Sequence, residues 1–415
     1  MPISTNLEFA TQLSVDEARS LVRELGAQKR MQPESVDLDN ALGRTLAADM
    51  LVPHDLPPFA NSAMDGYALR GSELPVQGET CFRVSGAVLA GAPVEPVFAA
   101  GECVRITTGA PLPSGADTVV IKENVRIDGD HIVVCAGELA GANVRPAGED
   151  YRAGDVAMRS GARLGPAHLG VLAACGCTQV KVARRPRVAL FVTGDELVPP
   201  DQTLAYGQIH DSNRYTLGAM LRELGIEPEP VAHLRDDADA LRVALREAAD
   251  RCDVVISSGG VSAGEADFLP GVVAELGKIH FWKVRMKPGM PLLCGDIGGA
   301  LVFALPGNPV STIATFLTLV RPALLAMQGA DVGGSGTWKA RLATPVLKKH
   351  DRCEFLRARV EARDDGAWWA MPLQRQGSGM LRGVVEADVL IVVPEHVREL
   401  AVGSVVEVQS LSGFC

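Results

Sequence analysis

Positive charge is in the minority in this chain, and that is the first of several shortages that narrow what it does. Forty Lys and Arg face fifty Asp and Glu, giving a formal net charge of −10 and a pI near 5.4. A field of that sign argues against a nucleic-acid surface, while leaving room for local lysines that bind phosphate. No segment reads as the run of roughly 18 apolar residues that crosses a bilayer. The N-terminal stretch MPISTNLEFATQL has no basic segment followed by an apolar core, so the expectation is a cytoplasmic protein without a membrane partner. The nine cysteines are scattered, and the closest pair, Cys175-Gly-Cys177, lacks the C-x-x-C spacing of a zinc site. Their odd number, without a leader, argues against a disulfide framework. Aromatics are few, at 5%. What remains, 47% hydrophobic and 22% charged with a mean hydropathy of +0.13, is an ordinary globular chain. At 415 residues it is long enough for two to four domains.

The richest stretch runs from Asp253 to Ser311. It contains DVVISSGGVSAGEADF, FWKVRMKPGMPLLCG and ALVFALPGNPVS, three short apolar segments that each end in a loop of glycine or proline with polar groups. Val254, Val255 and Ile256 form the kind of run that a strand buried on both faces requires, as in a parallel sheet between helices. Ser257, Ser258, Gly259 and Gly260 follow, where the glycines would let successive N–H groups turn toward an anion. Glu265 and Asp267 come next, and acids beside an anion nest imply a divalent cation. Asp267 also stands where a helix begins, so an N-cap is its plain structural alternative. Lys283 and Lys287 flank a segment ending in Pro288, which favours an extended path and offers cations for phosphate or another oxyanion. Any one of these loops alone could be a simple turn. Three of them at the carboxyl ends of parallel strands would open on one edge of a sheet.

Elsewhere the texture changes along the chain. Ser14-Val-Asp-Glu17 has the form of a capping box, predicting a helix over 15–25. The stretch from Leu56 to Ala68 is dense in turn formers, with Asp65-Gly66 the strongest signal. From about 75 to 150, short β-rich runs at Cys103–Thr107, Thr118–Ile121 and His131–Val134 recur without helical periodicity. From Arg187 strand and helix alternate, which predicts a parallel sheet with crossovers over 187–328, including a long helix at Pro309–Met327. Past a glycine-rich linker at 329–336, strands return, and a small barrel or sandwich is expected at the end.

Seven ordered motifs carry a resemblance. FANSAMDGYA at 59–68, ITTGAP at 106–111, RPAGED at 145–150, TGDEL at 193–197, ISSGGVSAGEADF at 256–268, FWKVRMKPGMP at 281–291 and LPGNPVS at 305–311 resemble the molybdopterin molybdenumtransferase family over essentially the whole chain. That family is the bacterial molybdenum-insertion enzyme, related to the catalytic end domain of gephyrin. The resemblance implies an α/β multidomain fold, with a central parallel-sheet molybdopterin-binding domain between a β-rich domain and a C-terminal β-barrel. The expected division is a connecting domain at 27–52 and 151–185, the β-rich domain at 53–150, the α/β domain at 12–26 and 186–330, and the barrel at 335–415.

The implied reaction takes adenylated molybdopterin and molybdate, uses Mg²⁺ as the cofactor, releases AMP and leaves molybdenum on the pterin dithiolate. By resemblance the catalytic positions are Asp65, Asp150, Glu196, Asp236, Asp267, Lys283 and Lys287, with Asp65, Glu196 and Asp267 holding the metal. Substrate contacts fall to Thr108, Ser258, Gly259, Gly260, the Pro306-Gly307-Asn308-Pro309 loop, Arg357 and Ser378. A homodimer is implied, with acids of one subunit's β-rich domain facing the α/β domain of the other. The adenylyltransferase that supplies the substrate and the molybdoenzymes that receive the product are implied partners. Two departures stand out: Ala60 replaces an acid that many members carry, and Met290 replaces a second lysine-type group. Two other classes stay open, a molybdopterin adenylyltransferase and a gephyrin-like scaffold. The flanking β-rich regions argue against the first, and the intact set of acids and lysines against the second.

Overall fold

A computed structural model of the chain describes residues 9–91, 97–230, 232–234, 237–261, 268–331 and 336–411. The alternation from Arg187 onward builds a seven-stranded sheet in the order Ala10–Leu13, Lys278–Val284, Leu293–Ile297, Ala300–Leu305, Val254–Ser258, Val188–Thr193, Ala232–Leu234. Every neighbouring pair is parallel except the two made by Leu293–Ile297. The three central strands, Ala300–Leu305, Val254–Ser258 and Val188–Thr193, are buried at every residue because helices cover both faces. Leu190, Ile256 and Phe303 share one core with helices Val15–Gln28, Asn213–Glu223 and Pro309–Met327. Ala189, Val255 and Val302, on the other face, meet helices Ala238–Arg251 and Leu269–Leu276.

Helix Val15–Gln28 starts as its sequence predicts. The Ser14 side chain accepts from the Glu17 N–H at 3.2 Å, and the Ser14 N–H donates to the Glu17 carboxylate at 2.8 Å. The preceding strand, Ala10–Leu13, has no such signal. Its side chains are largely exposed, and it is a strand only because its backbone pairs with Phe281–Val284 at the sheet edge.

One expectation is corrected. Helix Pro309–Met327 has 19 residues and a hydropathy of 1.6, enough by length and composition to cross a membrane. It is fully buried in the protein, with a π-helical turn at Phe316–Val320 in its middle. A helix enclosed on all sides by a protein core needs the same apolar surface as one enclosed by lipid.

On either side of this body lie the two β-rich regions. A six-stranded sheet is ordered Thr118–Ile121, Gly66–Leu69, Glu102–Ile106, Glu79–Val88, His131–Cys135, Val125–Asp128. Toward the C-terminus, Cys353–Ala362, Trp368–Pro372, Thr337–Leu342, Val405–Ser410 and Val389–Val393 close into a barrel, because the last of these pairs back onto the first. Met286–Lys287 joins this barrel from outside, parallel to Cys353–Glu354, and so ties the α/β body to it. A smaller core around Ala41, Leu46, Leu164 and Leu172 links the pairs Pro33–Asp37 with Gln179–Ala183 and Met50–Leu51 with Val156–Met158.

Candidate functional site

Three central strands end at Thr193, Ser258 and Leu305, and the loops that follow line one cavity of about 660 Å³. Glu196, Ser258, Gly259, Gly260 and the whole Pro306–Pro309 loop face it, as expected for loops leaving the carboxyl edge of a parallel sheet. Asn213 stitches two of these loops together: its Nδ2 donates to Ser258 Oγ at 2.8 Å and to the Gly307 carbonyl at 2.7 Å. The Thr312 hydroxyl donates to the Pro306 carbonyl at 2.7 Å and holds that loop to the start of the core helix.

Gly259 and Gly260 have φ values of +98° and +65°, which favours glycine at both. A Cβ on Gly259 would also fall 2.5 Å from the Thr193 carbonyl oxygen. The expected anion nest lacks one donor, because the Gly259 N–H donates to the Leu305 carbonyl at 3.0 Å and extends the sheet ladder. Side chains add to the polarity of the cavity floor. Thr193 Oγ1 and Asn213 Oδ1 are buried without a hydrogen-bond partner among the described residues.

A second cavity, of about 560 Å³, adjoins the first through Pro291 and Asn308, which line both. Lys287, Arg352, Glu354 and Ser378 face it. Lys287 Nζ lies 2.9 Å from Glu354 Oε1, and the Glu354 side chain is only 11% exposed, so the barrel fixes where this ammonium sits. Lys283 does not line either cavity. It has a φ of +70°, and its Nζ lies 4.6 Å from the ring centre of Trp282, whose Nε1 in turn donates to the Val261 carbonyl at 3.2 Å.

Arg357 also turns away from the cavities. It is buried, and donates from Nη1 to the Met380 carbonyl at 3.0 Å and from Nη2 to the Gly377 carbonyl at 3.1 Å. Burial pushes its pKa below the ordinary arginine value. These contacts make it the support of the loop that carries Ser378, whose own carbonyl accepts from the Val310 N–H at 3.0 Å.

The acids of the β-rich region stand apart. Asp65 Oδ1 accepts from the Thr108 N–H at 2.9 Å and from Thr108 Oγ1 at 2.8 Å, and Lys122 Nζ is 3.6 Å from its other oxygen. The bonds from Thr108, with Lys122 adding less, hold this carboxyl below the usual carboxylate range. Asp150 is exposed in a loop whose N–H donates to the Leu56 carbonyl at 3.0 Å. Neither lines the two cavities. Asp236 and Asp267 lie outside the described residues.

The expected metal set of Asp65, Glu196 and Asp267 is therefore not brought together by the described residues of one chain. Among these residues no three His, Cys, Asp or Glu side chains group around a metal-sized site. Hard carboxylate oxygens suit Mg²⁺ in kind, but of the two described acids of the set only Glu196 lines a cavity, and Asp65 does not. Sequence reasoning missed Thr193, Asn213 and Glu354. Asn213 and Glu354 carry no local signal, since their partners Ser258, Gly307 and Lys287 come from distant segments.

Comparison with known proteins agrees along the whole chain. The family described as MoeA N-terminal region (domain I and II) matches residues 13–176, the probable molybdopterin binding domain matches 189–326, and MoeA C-terminal region (domain IV) matches 339–411. A molybdopterin molybdenumtransferase of Haemophilus influenzae is 36% identical over 400 residues, covering 96% of this chain and 98% of that protein. One from a Nostoc species is 39% identical over 325 residues, covering 76% of this chain and 73% of that protein. The solved structure of a molybdopterin biosynthesis moea protein from Pyrococcus horikosii has a TM-score of 0.79 at 34% identity, covering 97% of this chain and 100% of that one.

Proposed function

The chain belongs to the molybdopterin molybdenumtransferase family, and from that premise we infer that it moves molybdenum from molybdate onto adenylated molybdopterin with release of AMP. The observation that supports this most is the pair of adjoining cavities, one floored by polar loops with Glu196 and the other carrying Lys287 and Ser378. Cleaving a phosphate anhydride depends on charge placed where it develops more than on a nucleophilic side chain. In this reading the Ser258–Gly260 and Pro306–Pro309 loops hold the pterin nucleotide at the sheet edge. Lys287 and Ser378 receive oxyanion charge in the adjoining cavity, with Lys283 nearby. Arg357 acts through the loop that it supports, and Asp236 belongs to the set by resemblance.

Mg²⁺ would be held by Glu196 and Asp267 with Asp65 of the partner subunit, and would offset charge on the phosphate link. Asp65, Thr108 and Asp150 do not line the cavities of their own chain, so the reading includes a homodimer with C₂ symmetry in which each β-rich sheet faces the other subunit's sheet edge. Cytoplasmic placement, the adenylyltransferase and the recipient molybdoenzymes belong to the same proposal.

The test is direct. Purified protein given adenylated molybdopterin, molybdate and Mg²⁺ is expected to release AMP and to load molybdenum on the pterin. Consumption of ATP with release of pyrophosphate, and no AMP from the adenylated substrate, would overturn the reading in favour of an adenylyltransferase.

A further inference from the structure

Arg184-Arg-Pro-Arg187 leads the chain from strand Gln179–Ala183 into strand Val188–Thr193. It lies at the amino ends of the parallel strands, at the edge of the sheet opposite the two cavities. An open recess of about 460 Å³ is found there, lined by Glu34, Arg184, Arg185 and Arg187.

The acids at this recess already have partners. Asp253 accepts from Arg184 Nη1 and Nη2, both at 2.9 Å, and from the Arg187 N–H at 2.6 Å, and Glu34 pairs with Arg44. The Arg187 guanidinium comes only to 3.8 Å from Asp253, and 63% of the side chain is exposed. Arg185 has no ion pair or side-chain hydrogen bond among the described residues, and its Nε is buried without an acceptor, as is the Nε of Arg44. Its guanidinium lies against Gly225, where a Cβ would fall 2.4 Å from Nη2 and 2.8 Å from Nε. Burial, and then the nearby Arg44, push the Arg185 pKa down against a smaller opposing pull from Glu34, so the fold bears a cost to keep this cation without a direct partner.

The neighbouring helix Asn213–Glu223 presents its carboxyl end here, and that end favours a cation. It supplies no acceptor for Arg185 Nε and no reason for an exposed Arg187 beside it. Four guanidinium groups, of Arg44, Arg184, Arg185 and Arg187, face two carboxylates, in a protein whose formal net charge is −10.

We propose that this recess is a binding site for a phosphate-type dianion, with Arg185 and Arg187 as its donors. Planar guanidinium forks match tetrahedral oxyanions, and a double negative charge neutralises the excess of the cluster. The anion is either free phosphate or the end group of a small phosphate monoester. Because the recess joins strand Pro33–Asp37 to the start of the seven-stranded sheet, a bound anion also clamps the connecting segment to the α/β body. The site is independent of the AMP-releasing reading.

Calorimetric titration of the full chain at low ionic strength tests it, using inorganic phosphate and glycerol 3-phosphate as probes. A Lys287→Gln background reduces heat from the other edge of the sheet. Saturable binding is expected, weakened about tenfold or more by Arg185→Gln and to a lesser degree by Arg187→Gln. Tighter binding of glycerol 3-phosphate than of phosphate identifies a monoester, and the reverse identifies the free anion. Equal affinity with and without the arginines, or no saturation by ~10 mM phosphate, overturns the proposal. So does a change of subunit association with phosphate affinity intact, since the arginines would then be a protein contact. Should Arg185→Gln fail to fold, the exposed Arg187→Gln carries the same comparison.

Discussion

Asp65, in the bend that leads into strand Gly66–Leu69 of the six-stranded sheet, is half-exposed and already satisfied: two bonds from Thr108 and the ammonium of Lys122 reach its oxygens. At the carboxyl edge of the seven-stranded sheet the situation is reversed, because Thr193 and Asn213 are buried while one oxygen of each has no partner among the described residues. A pre-oriented acid on an open surface gains nothing more from its own chain and is fit to be presented to another. A buried polar floor with unused acceptors is fit to receive a ligand, since an unmet buried polar group costs about 1–3 kcal/mol. In the proposed reaction the two regions would take complementary parts, one giving charge and the other taking substrate.

The receiving side can be broken most severely at its tightest point. Gly259→Val places a branched side chain at a φ of +98° and a Cβ 2.5 Å from the Thr193 carbonyl oxygen. It is expected to cost at least ~2 kcal/mol in a melting experiment and to abolish AMP release. Lys287→Gln keeps the shape of the second cavity but removes its ammonium. A loss of about 100-fold in AMP release is expected, with only a small fall in Tm, because the half-exposed lysine contributes little to stability.

The giving side is tested by complementation. Asp65→Asn alone should lower AMP release by at least ~10-fold with only a small fall in Tm. Isolated heterodimers of an Asp65→Asn chain with a Lys287→Gln chain should regain activity through one intact cleft. No recovery in such heterodimers would count against a shared site.

The pH dependence sharpens the same contrast. Asp65 has its carboxyl pKa lowered from 3.8 in the folded protein, so its contribution to stability is present above that ordinary value and is lost as pH falls through the lowered one. Asp65→Asn should remove this step, so that its Tm lies slightly below the parent's above pH ~5 and converges with it at the acid end of the curve. The smallest effect belongs far from both regions: Ser14→Ala should cost about 1 kcal/mol by opening the capping box and leave AMP release intact.

The sequence made the central strands legible because a strand buried on both faces must be a continuous apolar run, as Val254–Ile256 is. It made the carboxyl-edge loops legible through Gly259, Gly260 and Pro306–Pro309, whose residue types restrict the backbone directly. Partnership was harder to read. Nothing local in Ala10–Leu13 marks a strand, since an exposed edge strand is defined by the neighbour that it pairs with. The direction of the Gly259 N–H was hidden for the same reason, its acceptor being Leu305 on another strand. Arg357 matched a substrate-contact position by type, but its burial among the carbonyls of 377 and 380 is a fact of packing that composition does not carry.

The fully buried core helix also bears on how the molecule comes off the ribosome. Helix Val15–Gln28 packs against its last segment, Arg321–Met327, so an early-emerging piece has to wait for a late one before its apolar face is covered. The six-stranded sheet, by contrast, pairs only residues between Gly66 and Cys135 and can close while synthesis continues. The order of assembly is then the β-rich sheet before the α/β body. A growing chain halted between those points would carry a finished acid-bearing surface beside an unprotected hydrophobic helix, the species on which a chaperone would have most to do.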